Sequence, residues 1–168
     1  MIDVFHFKTE SPGQGIYIFS FSGNLDEHAQ LPSLSDLVNV KKITFDFMGL
    51  KFISSAGIKS WILMIEDIKD IPGIEIEFLN CPKTVIDCVN SIEGFLPDKG
   101  YISSFKIPYF CEECDQSFTV LEPTSAVLPF LDKYLNNQKT FAEQNCPSCQ
   151  KPAEIDLSVP QFLKFLKG

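Results

Sequence analysis

Two CxxC pairs, Cys111/Cys114 in CEEC and Cys146/Cys149 in CPSC, constrain the fold more than any other feature of this 168-residue chain. Each pair presents two sulfurs from one tight turn. Two such turns supply the four sulfurs of a closed tetrahedral site, the arrangement zinc takes in structural sites. The 31 residues between the pairs exceed the spacing of a compact ribbon, so a further segment is inserted between its halves. Asp115 and Gln150 follow the second cysteine of each pair, where such a turn often needs a positive φ. Asp tolerates that conformation better than Gln, so the second turn is expected to fit less well. We expect one structural zinc per chain, held by Cys111, Cys114, Cys146 and Cys149.

Rival uses of these cysteines are weaker. A redox CxxC needs a thiol of lowered pKa, and Glu112, Glu113 and Asp115 around the first pair act in the opposite direction. A catalytic zinc keeps an open position and recruits His or carboxylate, whereas His6 and His28 lie far away in sequence. The chain opens without a signal-peptide pattern, so a cytoplasmic protein with reduced thiols is expected. Cys81 and Cys88 lack CxxC partners and read as buried thiols.

Charge narrows the partners. The net charge is −8 and all 14 basic residues are lysine. From Tyr109 onward 5 lysines face 8 acids, so the ribbon itself is acidic. Phosphate recognition needs a basic stripe and bidentate guanine contacts need arginine; nucleic acid is therefore an unfavoured partner. The longest apolar run, around Trp61 to Ile65, is interrupted by Glu66 and Asp67, too soon for a membrane span.

Strand patterns cover Val4 to Lys8 and Gly15 to Phe21 with the turn segment SPGQG between them, and a further run, Lys42 to Phe47, reads as an inner strand. Leu34, Leu37 and Val38 give a short helical periodicity within 26–40. Ile58, Trp61, Ile62, Ile65 and Ile68 line one face of a helix over Ser55 to Lys69, with Ser54 and Ser55 as natural N-caps. On its opposite stripe, Lys59, Leu63, Glu66 and Asp70 place one apolar residue among charges, with Met64 beside it. Ile74 to Leu79 reads as a strand and Pro82 to Ile92 as a helix. Strands alternating with helices imply an α/β sheet with helices packed on it for residues 1–104. Residues 105–168 then form a small β-rich ribbon: strands flank each cysteine turn, a short helix interrupted by Pro129 fills Ser125 to Leu135, and a terminal helix covers Pro160 to Leu166. A module this small relies on its metal for stability.

The segments FSGNLD (Phe21 to Asp26) and ITFDFMGLKFISSAGI (Ile43 to Ile58) resemble the STAS domain of sulfate transporters and anti-sigma factor antagonists. Gly23, Leu25, Asp26, Asp46, Phe52, Ile53, Ser55, Gly57 and Ile58 fall on matching positions; Ser54 stands where that family usually has Asp, and Ala56 where it often has a second Ser. The resemblance implies a bacterial signalling module in which Ser55, or less favourably Ser54, is phosphorylated by a kinase of the anti-sigma factor type. It implies a partner surface around Asp26, Ser54, Ser55 and Gly57, with Asp26 and Asp46 near the serine; independently of the resemblance, Lys59 and Leu63 on the outer stripe of the helix offer a contact face for a partner or for the ribbon. The expected function is thus a non-enzymatic signalling adaptor in which the ribbon adds a second protein-contact surface. A thiol oxidoreductase and a nucleic-acid-binding ribbon are the alternatives.

Overall fold

A computed structural model describes residues 3–167. Its first sheet has five strands in sequential order: β1 (His6–Gly13), β2 (Ile16–Leu25), β3 (Lys42–Ile53), β4 (Glu75–Leu79) and β5 (Gly100–Ile102). β1 and β2 form an antiparallel hairpin, closed at Gln14 with φ +58°. The other neighbours are parallel, which requires crossovers. Helix α1 (Ser55–Glu66) carries the chain from β3 to β4, and α2 (Lys83–Ser91) from β4 to β5.

Alternation along the strands sorts the two faces. Phe19, Phe21, Ile43, Phe45, Phe47, Ile76 and Phe78 are buried beneath α1 and its surroundings. The Trp61 ring lies 5.0 Å from Phe45, 5.5 Å from Phe47, 5.6 Å from Phe78 and 5.4 Å from Phe95, centroid to centroid. Its Nε1 donates to the Phe95 carbonyl at 2.9 Å, so the indole is both packed and satisfied. On the opposite face Lys42 Nζ reaches Glu75 Oε1 at 2.8 Å, Glu77 Oε2 at 2.9 Å and Tyr101 Oη at 3.1 Å. Thr44 Oγ1 also donates to Glu77 Oε2, at 3.0 Å.

Three local expectations change. Residues 26–40 form no helix: Pro32 interrupts the segment, and Ser33 Oγ bonds Ser35 Oγ at 3.0 Å and Asp36 Oδ2 at 3.1 Å, local contacts that compete with helical ones. Leu34 is nevertheless buried, so the periodicity marked a core contact rather than a helix. β1 starts later than expected and runs through Ser11 and Pro12, as an edge strand can where one side needs no ladder. Met64 is buried rather than beside Leu63 on the surface.

A second, four-stranded sheet follows: β6 (Ser104–Cys111), β7 (Gln116–Pro123), β8 (Gln144–Asn145) and β9 (Pro152–Ile155), ordered β7-β6-β9-β8 with antiparallel neighbours. The insert is α3 (Thr124–Val127), a 3-10 turn at Leu128–Phe130 containing Pro129, and α4 (Leu131–Leu135). Helix α5 (Val159–Phe162) and a 3-10 turn at Leu163–Lys167 complete the described chain.

The sheets meet at a hydrogen-bonded seam. Cys81, just past β4, pairs in parallel with Phe105 on β6: its N–H donates to the Ser104 carbonyl at 3.0 Å and its carbonyl accepts from Lys106 N–H at 2.8 Å. Asn80, buried with φ +56°, donates from Nδ2 to Asp46 Oδ1 at 2.8 Å. Ser104 Oγ accepts from Asn80 N–H at 2.9 Å, and Lys106 Nζ donates to the Met48 carbonyl at 2.5 Å. Phe105 extends the contact with rings from Phe162 and Phe165, each 5.6 Å away, and the buried apolar residues of both sheets form one continuous cluster.

Candidate functional site

The four paired cysteines converge. Cys111 ends β6, Cys114 closes the turn into β7, Cys146 follows β8 and Cys149 closes the turn before β9. All four sulfurs lie within 4.8 Å of one another. Cys111 Sγ is 3.5 Å from Cys149 Sγ, and Cys114 Sγ is 3.5 Å from Cys146 Sγ. A tetrahedron of Zn–S bonds near 2.3 Å separates its sulfurs by about 3.8 Å, so the observed cluster has the size of a four-cysteine metal site. Disulfides are excluded because an S–S bond is about 2.05 Å long.

Both turns adopt the same backbone solution. Asp115 has φ +52° and Gln150 φ +63°, so the second turn takes the left-handed conformation despite its Gln. The Gln150 N–H donates to the Cys146 carbonyl at 2.9 Å and closes the knuckle. Behind the sulfurs Tyr109 and Phe118 stack at 5.5 Å, and Tyr109 Oη donates to the Ala142 carbonyl at 2.8 Å. That bond anchors the long insert to β6; Tyr134 packs its ring 5.0 Å from Phe141 to continue the contact.

Electrostatics favour a cation. Burial raises the Cys114 thiol, and hydrogen bonding with Cys146, Cys149 and Cys111 adds to this, taking it to about 12. Burial and the contact with Cys149 also raise Cys111, against backbone N–H groups of Glu113 and Cys114 directed at its sulfur. At Cys146 the Cys149 N–H lowers the pKa; burial opposes it and the Ser148 N–H assists, leaving the thiol at about 6. Four thiols this close cannot all ionise alone, whereas a divalent cation stabilises all four thiolates together. The donor set therefore fits a thiophilic tetrahedral metal, and these four residues would hold it.

The serine loop is a separate region. Ser54 is the N-cap of α1: its Oγ accepts from Gly57 N–H at 3.1 Å, while its own N–H donates to the Leu25 carbonyl at 2.9 Å. Ser55 is the first helical residue and is exposed, so the capping role expected of it belongs to Ser54. Gly57 is buried, and a Cβ there would lie 2.1 Å from the Leu25 carbonyl oxygen. Its bare backbone lets α1 start tight against the end of β2. Lys59 and Leu63 are exposed on the helix, Leu63 at 62%, and Phe52 at the end of β3 is exposed at 52%. Asp26 is half-buried and accepts the His28 N–H at Oδ1. Asp46 is bound into the seam with Asn80 and accepts the Met48 N–H at 2.9 Å.

Sequence reading did not anticipate that seam. Its signals were single residues: an Asn at positive φ, a Ser and a Lys whose partners lie on the other sheet. No helix among the described residues is long and apolar enough to cross a membrane. A scan against protein-family models finds no match, and a search of curated proteins finds no significant relative.

Proposed function

We propose that the chain is a non-enzymatic signalling adaptor in which a STAS-like domain, residues 1–104, binds a regulatory protein and a zinc ribbon, residues 105–168, adds a second contact surface. The observation that carries this reading is the placement of Ser55. It is exposed at the first position of a twelve-residue helix that directly follows β3, with Ser54 capping in its stead. A phosphate there meets free N–H groups and the positive helix end, so phosphorylation is compatible with the fold. It also introduces close to two negative charges at the exposed start of the helix, which disfavours a partner adapted to a hydroxyl. The resemblance of FSGNLD and FISSAGI to the STAS pattern supplies the class of partner, a kinase of the anti-sigma factor type.

Zinc is the metal of choice for the four-cysteine cluster because it needs only closed tetrahedral thiolate ligation and supplies stability without redox chemistry. Convergence of all four sulfurs also favours this reading over exchange chemistry at one CxxC. The test compares Ser55→Asp, Ser55→Ala and the parent in capturing a partner from the native host, with phosphate analysis of the native protein. We expect weak capture by Ser55→Asp and constitutive capture by Ser55→Ala. Equal capture by all three, with no phosphate found, would reduce Ser55 to an exposed helical residue.

A further inference from the structure

The four sulfurs differ in access, and two cross-turn separations are short. Cys111 and Cys146 are buried, while Cys114 and Cys149 are partly exposed. Each exposed sulfur lies 3.5 Å from a buried one on the opposite turn: Cys149 from Cys111, and Cys114 from Cys146. A partly exposed cysteine sulfur with a buried one in reach is the geometry of an oxidisable sulfur and its resolving partner.

We propose that the centre is a hydroperoxide-sensitive modification site: oxidation starts at Cys149 or Cys114, and the buried sulfur across the knuckles resolves it, giving Cys111–Cys149 and Cys114–Cys146 disulfides with release of the metal. The inference rests on the four-cysteine metal reading. Glu112, Glu113 and Asp115 surround Cys114 with negative charge, which repels anionic oxidants and admits a neutral hydroperoxide.

In the first step the exposed thiolate attacks the terminal peroxide oxygen. The O–O bond breaks, an S–O bond forms, and the leaving oxygen takes a proton to become water or an alcohol. In the second step the buried thiolate attacks that sulfur, an S–S bond forms, and the hydroxyl leaves as water after protonation. Each disulfide thus transfers two electrons to one hydroperoxide, and two hydroperoxides oxidise the whole centre. With their sulfurs joined in disulfides, Cys111, Cys114, Cys146 and Cys149 could no longer hold a metal, and a bound one would be released. Cys81 and Cys88, buried and raised in pKa by burial, remain thiols.

The test treats the full chain with hydrogen peroxide, follows zinc with a chromophoric chelator, and maps disulfides after lysine-specific digestion. Lys133 and Lys139 lie between the turns, so cross-knuckle disulfides join two peptides and CxxC disulfides do not. The expected result is loss of zinc in step with joined peptides, whose fragmentation gives 111 with 149 and 114 with 146. Cys149→Ser should leave only the 114–146 link; should that variant fail to fold, the map of the parent chain decides alone. Disulfides within each CxxC, or oxidation of Cys81 and Cys88 ahead of zinc release, would overturn the proposal. A starting protein without metal would overturn the zinc reading, and the disulfide map would still decide the pairing.

Discussion

Ser54 and Ser55 are chemically identical neighbours given different tasks by one step of backbone. Ser54 satisfies the Gly57 N–H, so Ser54→Ala should cost about 1 kcal/mol. Ser55→Ala should stay within about 0.5 kcal/mol of the parent, as exposed substitutions do. Urea unfolding of both variants checks this, and the reverse order would return the cap to Ser55. Gly57→Ala should be worse than either, because its Cβ would meet backbone at 2.1 Å rather than a movable side chain. A loss of about 1–3 kcal/mol is expected in the same experiment. These roles were half legible: the S-S-A-G-I sequence announced a helix start, yet choosing the capping serine depends on φ and ψ at one peptide.

At the scale of elements, the second cysteine turn holds Gln150 at φ +63°, where a Cβ is strained and glycine is not. Gln150→Gly should therefore raise the thermal midpoint of the metal-loaded protein, by roughly 0.5–1 kcal/mol of stability. A lowered midpoint would mean that the side-chain bond from Nε2 to the Pro147 carbonyl outweighs the strain. On the polar face of the first sheet, burial raises the Glu77 carboxyl while hydrogen bonds from Lys42, Ser103 and Thr44 lower it, and the bonds win. Its folded-state pKa lies below the ordinary 4.5, so its contribution to stability is present above that value and lost as pH falls through the folded one. Glu77→Gln should flatten the acid limb of the stability curve below about pH 4.5, as read by urea midpoints. The inner strands were legible because a period of two survives burial on one face. The segment 26–40 was not, since its leucines follow the core rather than a helix and Pro32 precedes them.

Across the whole molecule, β6 belongs to both halves. Its start pairs with Cys81 at the end of the first sheet and its end supplies Cys111 to the four-cysteine cluster. The four cysteines could be recognised from spacing alone, because ligand geometry is local to each turn. The seam could not, because it joins Asn80, Ser104 and Lys106 through tertiary contacts that no periodicity encodes. With one continuous core beneath both sheets, the metal-loaded chain should unfold in a single calorimetric transition. Two transitions would make residues 1–104 and 105–168 independent folding units. The measurement that tests the account most directly is X-ray absorption together with elemental analysis of the purified chain. We predict one zinc per chain surrounded by four sulfurs at about 2.3 Å, lost when Cys146 is replaced by serine, with a lowered unfolding midpoint for the whole chain. A folded protein without metal, or a zinc bound by nitrogen and oxygen, would contradict it.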